Sequence, residues 1–149
     1  MKPGFDYTGI FAVFICHDGG DRFLMSKRGS SARDEQGTWE FGGGSVEFGE
    51  SPEEAAKREL LEEYNCKTVY NIKPLAPFNL LRTQNEQKTH WIGFPFLVQI
   101  NPDEVIINEA GTTDAVEWFT LDNLPNPLHP GTHYIFPELR NHFNLSDRF

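Results

Sequence analysis

The sequence predicts a mixed α/β sandwich, and three features carry that expectation. Short runs rich in β-branched and aromatic residues recur along the chain. A strongly punctuated helix interrupts them near the middle, and an apolar stripe at helical spacing lies close to the end.

Residues 7–16 read as a buried strand, and His17-Asp18-Gly19-Gly20-Asp21 reads as a turn. Residues 22–28 return as a second strand with Phe23 and Leu24 to pack, closing on Lys27 and Arg28. A polar loop, 29–37, leads to the short strand 38–41 and then to Gly42-Gly43-Gly44. These three glycines are read as a turn that brings backbone carbonyls close to a ligand.

The helix over 52–64 has explicit ends. Ser51 suits the N-cap, Pro52 the first helical position, and Glu54 completes a capping box with Ser51. Asn65 stands where a left-handed C-terminal residue is expected. At about 100° per residue, Glu59, Glu62 and Glu63 fall on one face, although like charges at these spacings repel. Three carboxylates with no lysine among them suit a hard divalent cation such as Mg2+ or Mn2+.

Beyond the helix, 68–72 reads as a strand, and Pro74 and Pro77 mark a connection. Residues 78–83 and 89–100 read as strands joined by a polar turn, with Pro95 suggesting a bulge or an exposed edge. Residues 101–113 read as acidic and irregular, 116–119 as a last strand. A C-terminal helix is expected over 132–143, with Ile135, Phe136, Leu139 and Phe143 on one stripe. No repeat, linker or low-complexity tract divides the chain, so 1–149 reads as a single domain.

The spacing of the helix is itself a motif. Gly44, five residues, Glu50, seven residues, then Arg58-Glu59-Leu60-x-Glu62-Glu63-x-Asn65-Cys66 resembles the signature of the Nudix hydrolases, the MutT-like pyrophosphohydrolases. Asn65 replaces the family's glycine, Cys66 stands at its last aliphatic position, and Gly42 stands where a proline is usual. The likeness extends more weakly from Gly9 to Pro125 and includes Trp118-Phe119-x-Leu121. It implies an α/β/α sandwich around a mixed sheet. It also implies Mg2+ (or Mn2+) held by Glu59 and Glu63, with Glu62 a third ligand or a partner through water. The Gly44 (or Gly43) carbonyl would add a ligand, and Glu50 would be structural or join a second metal. Arg58 would orient Glu59 or pair with Glu50. Arg28 would lie near substrate phosphates, and His90 would line the substrate cleft. Glu62, Glu109 and Asp114 are the candidates for a general base.

Composition limits the alternatives. A formal charge of −9 in 149 residues argues against a nucleic acid polymer as partner. It is compatible with a small nucleotide whose charge a metal ion neutralises. Cys16 and Cys66 read as buried free thiols, and the longest apolar run is too short for a membrane. Reduced cytoplasm is the simplest compartment, and a homodimer is left open. No Gly-Lys-Ser/Thr follows the glycines, and Ser30, Ser31 and Ser45 lack a nucleophile context. His129 and His133 are split by Pro130-Gly131 and read as surface or core histidines. Of the strand aromatics, among them Phe11 and Trp91, one or two would stack a base.

The reading that results is a MutT-like nucleoside triphosphate pyrophosphohydrolase, releasing a nucleoside monophosphate and pyrophosphate. An ADP-ribose or nucleotide-sugar pyrophosphatase comes next. Leu81-Arg82-Thr83 stands where dinucleoside polyphosphate hydrolases often carry a tyrosine, which disfavours that class. A non-catalytic, nucleotide-sensing Nudix-fold module is the alternative of another kind, opposed by the intact signature glutamates.

Overall fold

A computed structural model describes residues 1–32, 34–107 and 113–143 of the chain. The strands are β1 (Gly9–His17), β2 (Phe23–Arg28), β3 (Trp39–Glu40), β4 (Gly42–Ser45), β5 (Val69–Pro74), β6 (Phe78–Gln84), β7 (Gln87–Ile100) and β8 (Thr113–Phe119). The helices are α1 (Pro52–Tyr64) and α2 (Phe136–Phe143). All eight strands join one sheet, whose spine runs β3-β2-β1-β7-β5. β1 and β7 are parallel while the other pairings are antiparallel, so the sheet is mixed.

Period-two alternation along β1 builds two cores. Ala12, Phe14 and Cys16 face α1, where they meet Ala55, Ala56, Leu60 and Tyr64. Val13 and Ile15 face the other way, toward Ile135, Phe136 and Leu139. The result is the expected α/β/α layering, with each helix covering one face. Burying a leucine such as Leu60, 1% exposed, stabilises the packing by about 2 kcal/mol.

α1 begins and ends as its sequence dictates. The Ser51 hydroxyl accepts from the Glu54 N–H at 3.1 Å, and the Glu54 carboxylate accepts from the Ser51 N–H at 3.4 Å. Asn65 takes φ 59°, ψ 22°, and its N–H donates to the Leu61 carbonyl at 3.0 Å. The family's glycine is therefore replaced by the other residue that tolerates this backbone. At the hairpin between β6 and β7, Asn85 and Glu86 both have positive φ, as a tight two-residue turn requires.

Three expectations are corrected. Gly42–Ser45 is a strand, not a turn, because it pairs with Phe11–Phe14 of β1. Pro95 is neither at a bulge nor on an edge. It lies buried in β7, opposite Val13, and its carbonyl accepts from the Leu75 N–H at 2.9 Å. Its nitrogen therefore faces the connection between β5 and β6, where no ladder donor is needed. The C-terminal helix begins at Phe136, preceded by a 3-10 turn over Pro130–Tyr134. Pro137 lacks the N–H that would tie an α-helix back to residue 133. Among the described residues no helix is long and apolar enough to cross a membrane.

If Asn65 is tolerated only for its backbone, Asn65→Gly should leave unfolding free energy within about 0.5 kcal/mol. Asn65→Ala should lower it by about 1 kcal/mol. Urea denaturation reads both, and an alanine variant as stable as the parent would contradict the assignment.

Candidate active site

β1 changes partner along its length, and that change opens the molecule. Phe11–Phe14 pair with β4, whereas His17 pairs with Phe23 of β2. β4 and the β2–β3 pair therefore diverge, and a cleft of about 350 Å3 lies between them. Ser26, Glu40, Glu63 and Tyr64 supply polar lining, and Phe11, Phe78, Leu80, Trp91 and Ile135 supply an apolar wall. Phe11 stands edge-on to both Trp91 (5.9 Å) and Phe78 (5.7 Å). Behind the wall, the N-terminal turn is pressed against Trp91. A Cβ on Gly4 would come within 2.2 Å of its indole.

α1 lays carboxylates on the glycine strand at one side of this opening. A Cβ added to Gly44 would lie 2.3 Å from Glu59 Oε1, and one on Gly42 would lie 2.7 Å from Glu63 Oε2. Glu63 Oε2 also accepts from the Gly43 N–H at 3.2 Å. The glycines thus make a trough that the two carboxylates fill, and any side chain there would displace them.

Arg58 supplies the positive charge. Its Nε and Nη2 donate to the two Glu50 oxygens at 2.8 and 3.0 Å, and Nη1 donates to Glu59 Oε1 at 2.7 Å. Those bonds hold the Glu50 carboxyl down at about 2 and push Arg58 up. Glu50 is thereby tied to Glu59 through one guanidinium. Glu62, in contrast, has a side chain 53% exposed and an ion pair with Arg58 at 3.7 Å. Two of the three helix carboxylates converge and the third faces solvent. Among the described residues no group of three His, Cys, Asp or Glu is arranged to hold a metal ion.

The structure places the two substrate-side residues differently. Arg28 lines the cleft, where it is ion-paired. Nη1 donates to Glu40 at 2.9 Å, Nη2 to Asp34 Oδ1 at 2.8 Å, and Nε to the Asp34 carbonyl at 2.8 Å. His90 lies outside the cleft. Alternation along β7 turns Trp91 inward and His90 away, where its ring bonds to Asn79 and, through Nδ1, to Thr8 at 2.7 Å. Of the base candidates, Asp114 is exposed and absent from the cleft, and Glu109 lies outside the described residues.

Several cleft residues escape sequence reasoning. Arg82 lines the cleft while donating to Glu35 at 2.7 Å. Tyr64 is buried, and its hydroxyl lies beside Ser26. Burial pushes its pKa up. His129 lines the cleft too. Its Nδ1 accepts from the Gly131 N–H at 3.0 Å, capping the 3-10 turn. A signal for it exists, since His-Pro-Gly is a turn start, but nothing in the spacing points that turn at a cleft.

With this geometry in view, comparison with known proteins is decisive. A profile of the NUDIX domain matches residues 7–139. The chain belongs to the Nudix family. Its named relatives make it a Nudix pyrophosphohydrolase. An oxidized purine nucleoside triphosphate hydrolase of Mus musculus is 30% identical over 137 residues, 83% of this chain and 78% of that protein. An RNA pyrophosphohydrolase of Vibrio cholerae is 31% identical over 123 residues, covering 72% of this chain and 65% of its own length. Among solved structures, a MutT NUDIX hydrolase from Burkholderia pseudomallei superposes with a TM-score of 0.75 at 27% identity. It covers 87% of this chain and 95% of that one.

The His129 geometry has a consequence for pH. Burial first, then Arg28 and Arg82, lowers its pKa from 6.5 to about 4. A folded-state pKa below the unfolded one means that the unfolded chain binds more protons between these values. The stabilisation is complete above pH 6.5 and is lost as pH falls toward about 4. An NMR titration should place the His129 midpoint near 4, and a midpoint near 6.5 would contradict this environment.

Proposed function

We propose that this Nudix pyrophosphohydrolase is a divalent-cation-dependent, MutT-like nucleoside triphosphate pyrophosphohydrolase with Mg2+ as its ordinary ion. The observation that carries the reading is the pair of α1 carboxylates seated on the β4 glycines at the cleft. The same reading takes 1–149 as one domain and places it in the cytoplasm, in keeping with the free, buried Cys16 and Cys66.

The residues present fit such an ion. Glu59 and Glu63 offer hard oxygen donors, the Gly44 carbonyl lies on the same strand, and the Arg58 guanidinium already balances negative charge there. Glu59 and Glu63 would hold the ion, with Gly44 adding a carbonyl and Glu62 reaching it through water. Glu50 acts through Arg58, keeping the guanidinium against Glu59. When bound, a divalent cation neutralises phosphate charge, polarises phosphorus and acidifies a coordinated water.

The chain's own part is positioning. α1 and β4 fix the carboxylate oxygens that would hold the ion facing the phosphates, and the apolar wall of Phe11, Phe78 and Trp91 provides ring faces for a base. A cleft of about 350 Å3 is of the size that takes a small ligand. The charge of −9 favours a small nucleotide over an RNA chain, which ties the reading to the triphosphate hydrolase relative more than to the RNA-acting one. An ADP-ribose or nucleotide-sugar substrate is the second reading, and the products separate the two.

Glu63→Gln keeps an acceptor for the Gly43 N–H but removes the charge. It should fold normally and lose hydrolysis of nucleoside triphosphates by at least about 100-fold with Mg2+. Undiminished turnover, with monophosphate and pyrophosphate still released, would defeat the assignment.

A further inference from the structure

The indole of Trp91 stands between the cleft and the first residues of the chain, and both of its ends are held from behind. A Cβ on Gly4 would lie 2.2 to 2.5 Å from Cε2, Nε1 and Cζ2 of the ring. One on Gly9 would lie 2.5 and 2.6 Å from Cζ3 and Cε3. Bare backbone therefore presses on the pyrrole end and the benzo end at once, where any side chain would displace the ring. Gly4 has φ 82°, and its N–H donates to the Tyr7 carbonyl at 2.6 Å, which closes the turn. His90, the residue before Trp91, fastens this turn twice. Its N–H donates to the Gly4 carbonyl at 2.8 Å, and its Nδ1 is bonded to the Thr8 hydroxyl at 2.7 Å. Its Nε2 is bonded to Asn79 on β6. Alternation along β7 thus divides the work between neighbours: His90 grips the turn, and Trp91 carries the contact into the cleft.

We propose that the N-terminal turn is a working part of the cleft, with Gly4 and Gly9 as positioning residues that fix how Trp91 faces a bound nucleotide. This rests on the reading of the cleft as a nucleotide site. A tryptophan on a strand can rotate about two side-chain torsions, and a ligand that packs against a loose ring must first order it. Between Gly4, Gly9 and the edge of Phe11, whose ring centroid is 5.9 Å away, the indole is ordered before a ligand arrives. In that reading the phosphates face the ion held by Glu59 and Glu63 on α1, whereas Trp91 belongs to β7. The turn therefore acts on binding and not on the chemical step.

The test has two arms. In the first, the full chain is labelled with fluorotryptophan, and Trp91→Phe assigns the fluorine resonance of Trp91 among those of Trp39, Trp91 and Trp118. Without nucleotide, Gly4→Ala should shift or broaden the Trp91 resonance and leave the other two in place. Gly9→Ala presses on the same ring from β1 without a positive φ, and it serves if Gly4→Ala folds poorly. A Trp91 resonance that stays in place in either folded variant overturns the proposal, whatever the protein hydrolyses. In the second arm, kcat and KM are measured with Mg2+ for whichever of GTP, ATP, CTP and UTP the parent hydrolyses fastest. Gly4→Ala should raise KM at least about fivefold, with kcat within about twofold of the parent. In a Trp91→Phe background the smaller ring leaves room for a Cβ, and the same substitution should change KM by less than about twofold. Backbone strain at Gly4 would persist in that background, so an undiminished KM effect overturns the positioning role. So does a KM that Gly4→Ala alone leaves unchanged. If the parent hydrolyses none of the four, the triphosphate reading falls, and the Trp91 resonance still decides the proposal.

Discussion

A carboxylate can lie flat on a β-strand only where the strand has no side chains, and the candidate site depends on that exclusion. Glu59 and Glu63 occupy the space in which residues 44 and 42 would otherwise carry a Cβ. The glycines are therefore not merely permissive of a turn. They are in extended, paired backbone, and their smallness lets α1 approach β4. Arg58 completes the arrangement by bonding to Glu50 and Glu59 together, which offsets like-charge repulsion on the helix. An arginine suits this better than a lysine, because its planar fork serves two carboxylates in fixed directions.

The second organising feature is the divergence of strands beside β1. Because β4 takes the first part of β1 and β2 only its end, the sheet opens next to the trough instead of closing over it. The opening exposes two chemically unlike regions to one ligand. At the α1 side lie the Glu59 and Glu63 oxygens that the proposed cation would use. Toward β2 and β3, Arg28 is ion-paired with Asp34 and Glu40.

Much of this is legible in the sequence, though unevenly. The limits of α1 can be read to the residue, because Ser51, Pro52, Glu54 and Asn65 each act on their own backbone. Most strands can be read because one face is apolar. β4 is hidden because three glycines have low strand propensity and no side-chain pattern, so only pairing with β1 makes them a strand. The apolar stripe that ends in α2 starts too early to mark the helix, whose first turn is set by Pro137. The face that His90 takes on β7 is not encoded locally, since residues 89–92 mix polar and apolar side chains and leave the phase open. The pairing of Arg28 with Asp34 and Glu40 joins positions 6 and 12 apart through a loop, a contact that no local spacing encodes.

The central claim is that the trough between α1 and β4 binds a divalent cation. Paramagnetic Mn2+, titrated into isotopically labelled protein, tests it most directly. A bound ion there predicts selective broadening of the amides of Gly42–Ser45 and of residues 59–63, abolished when Glu59 and Glu63 are both changed to Gln. Broadening spread evenly over the acidic surface, or unchanged in the double variant, would contradict it.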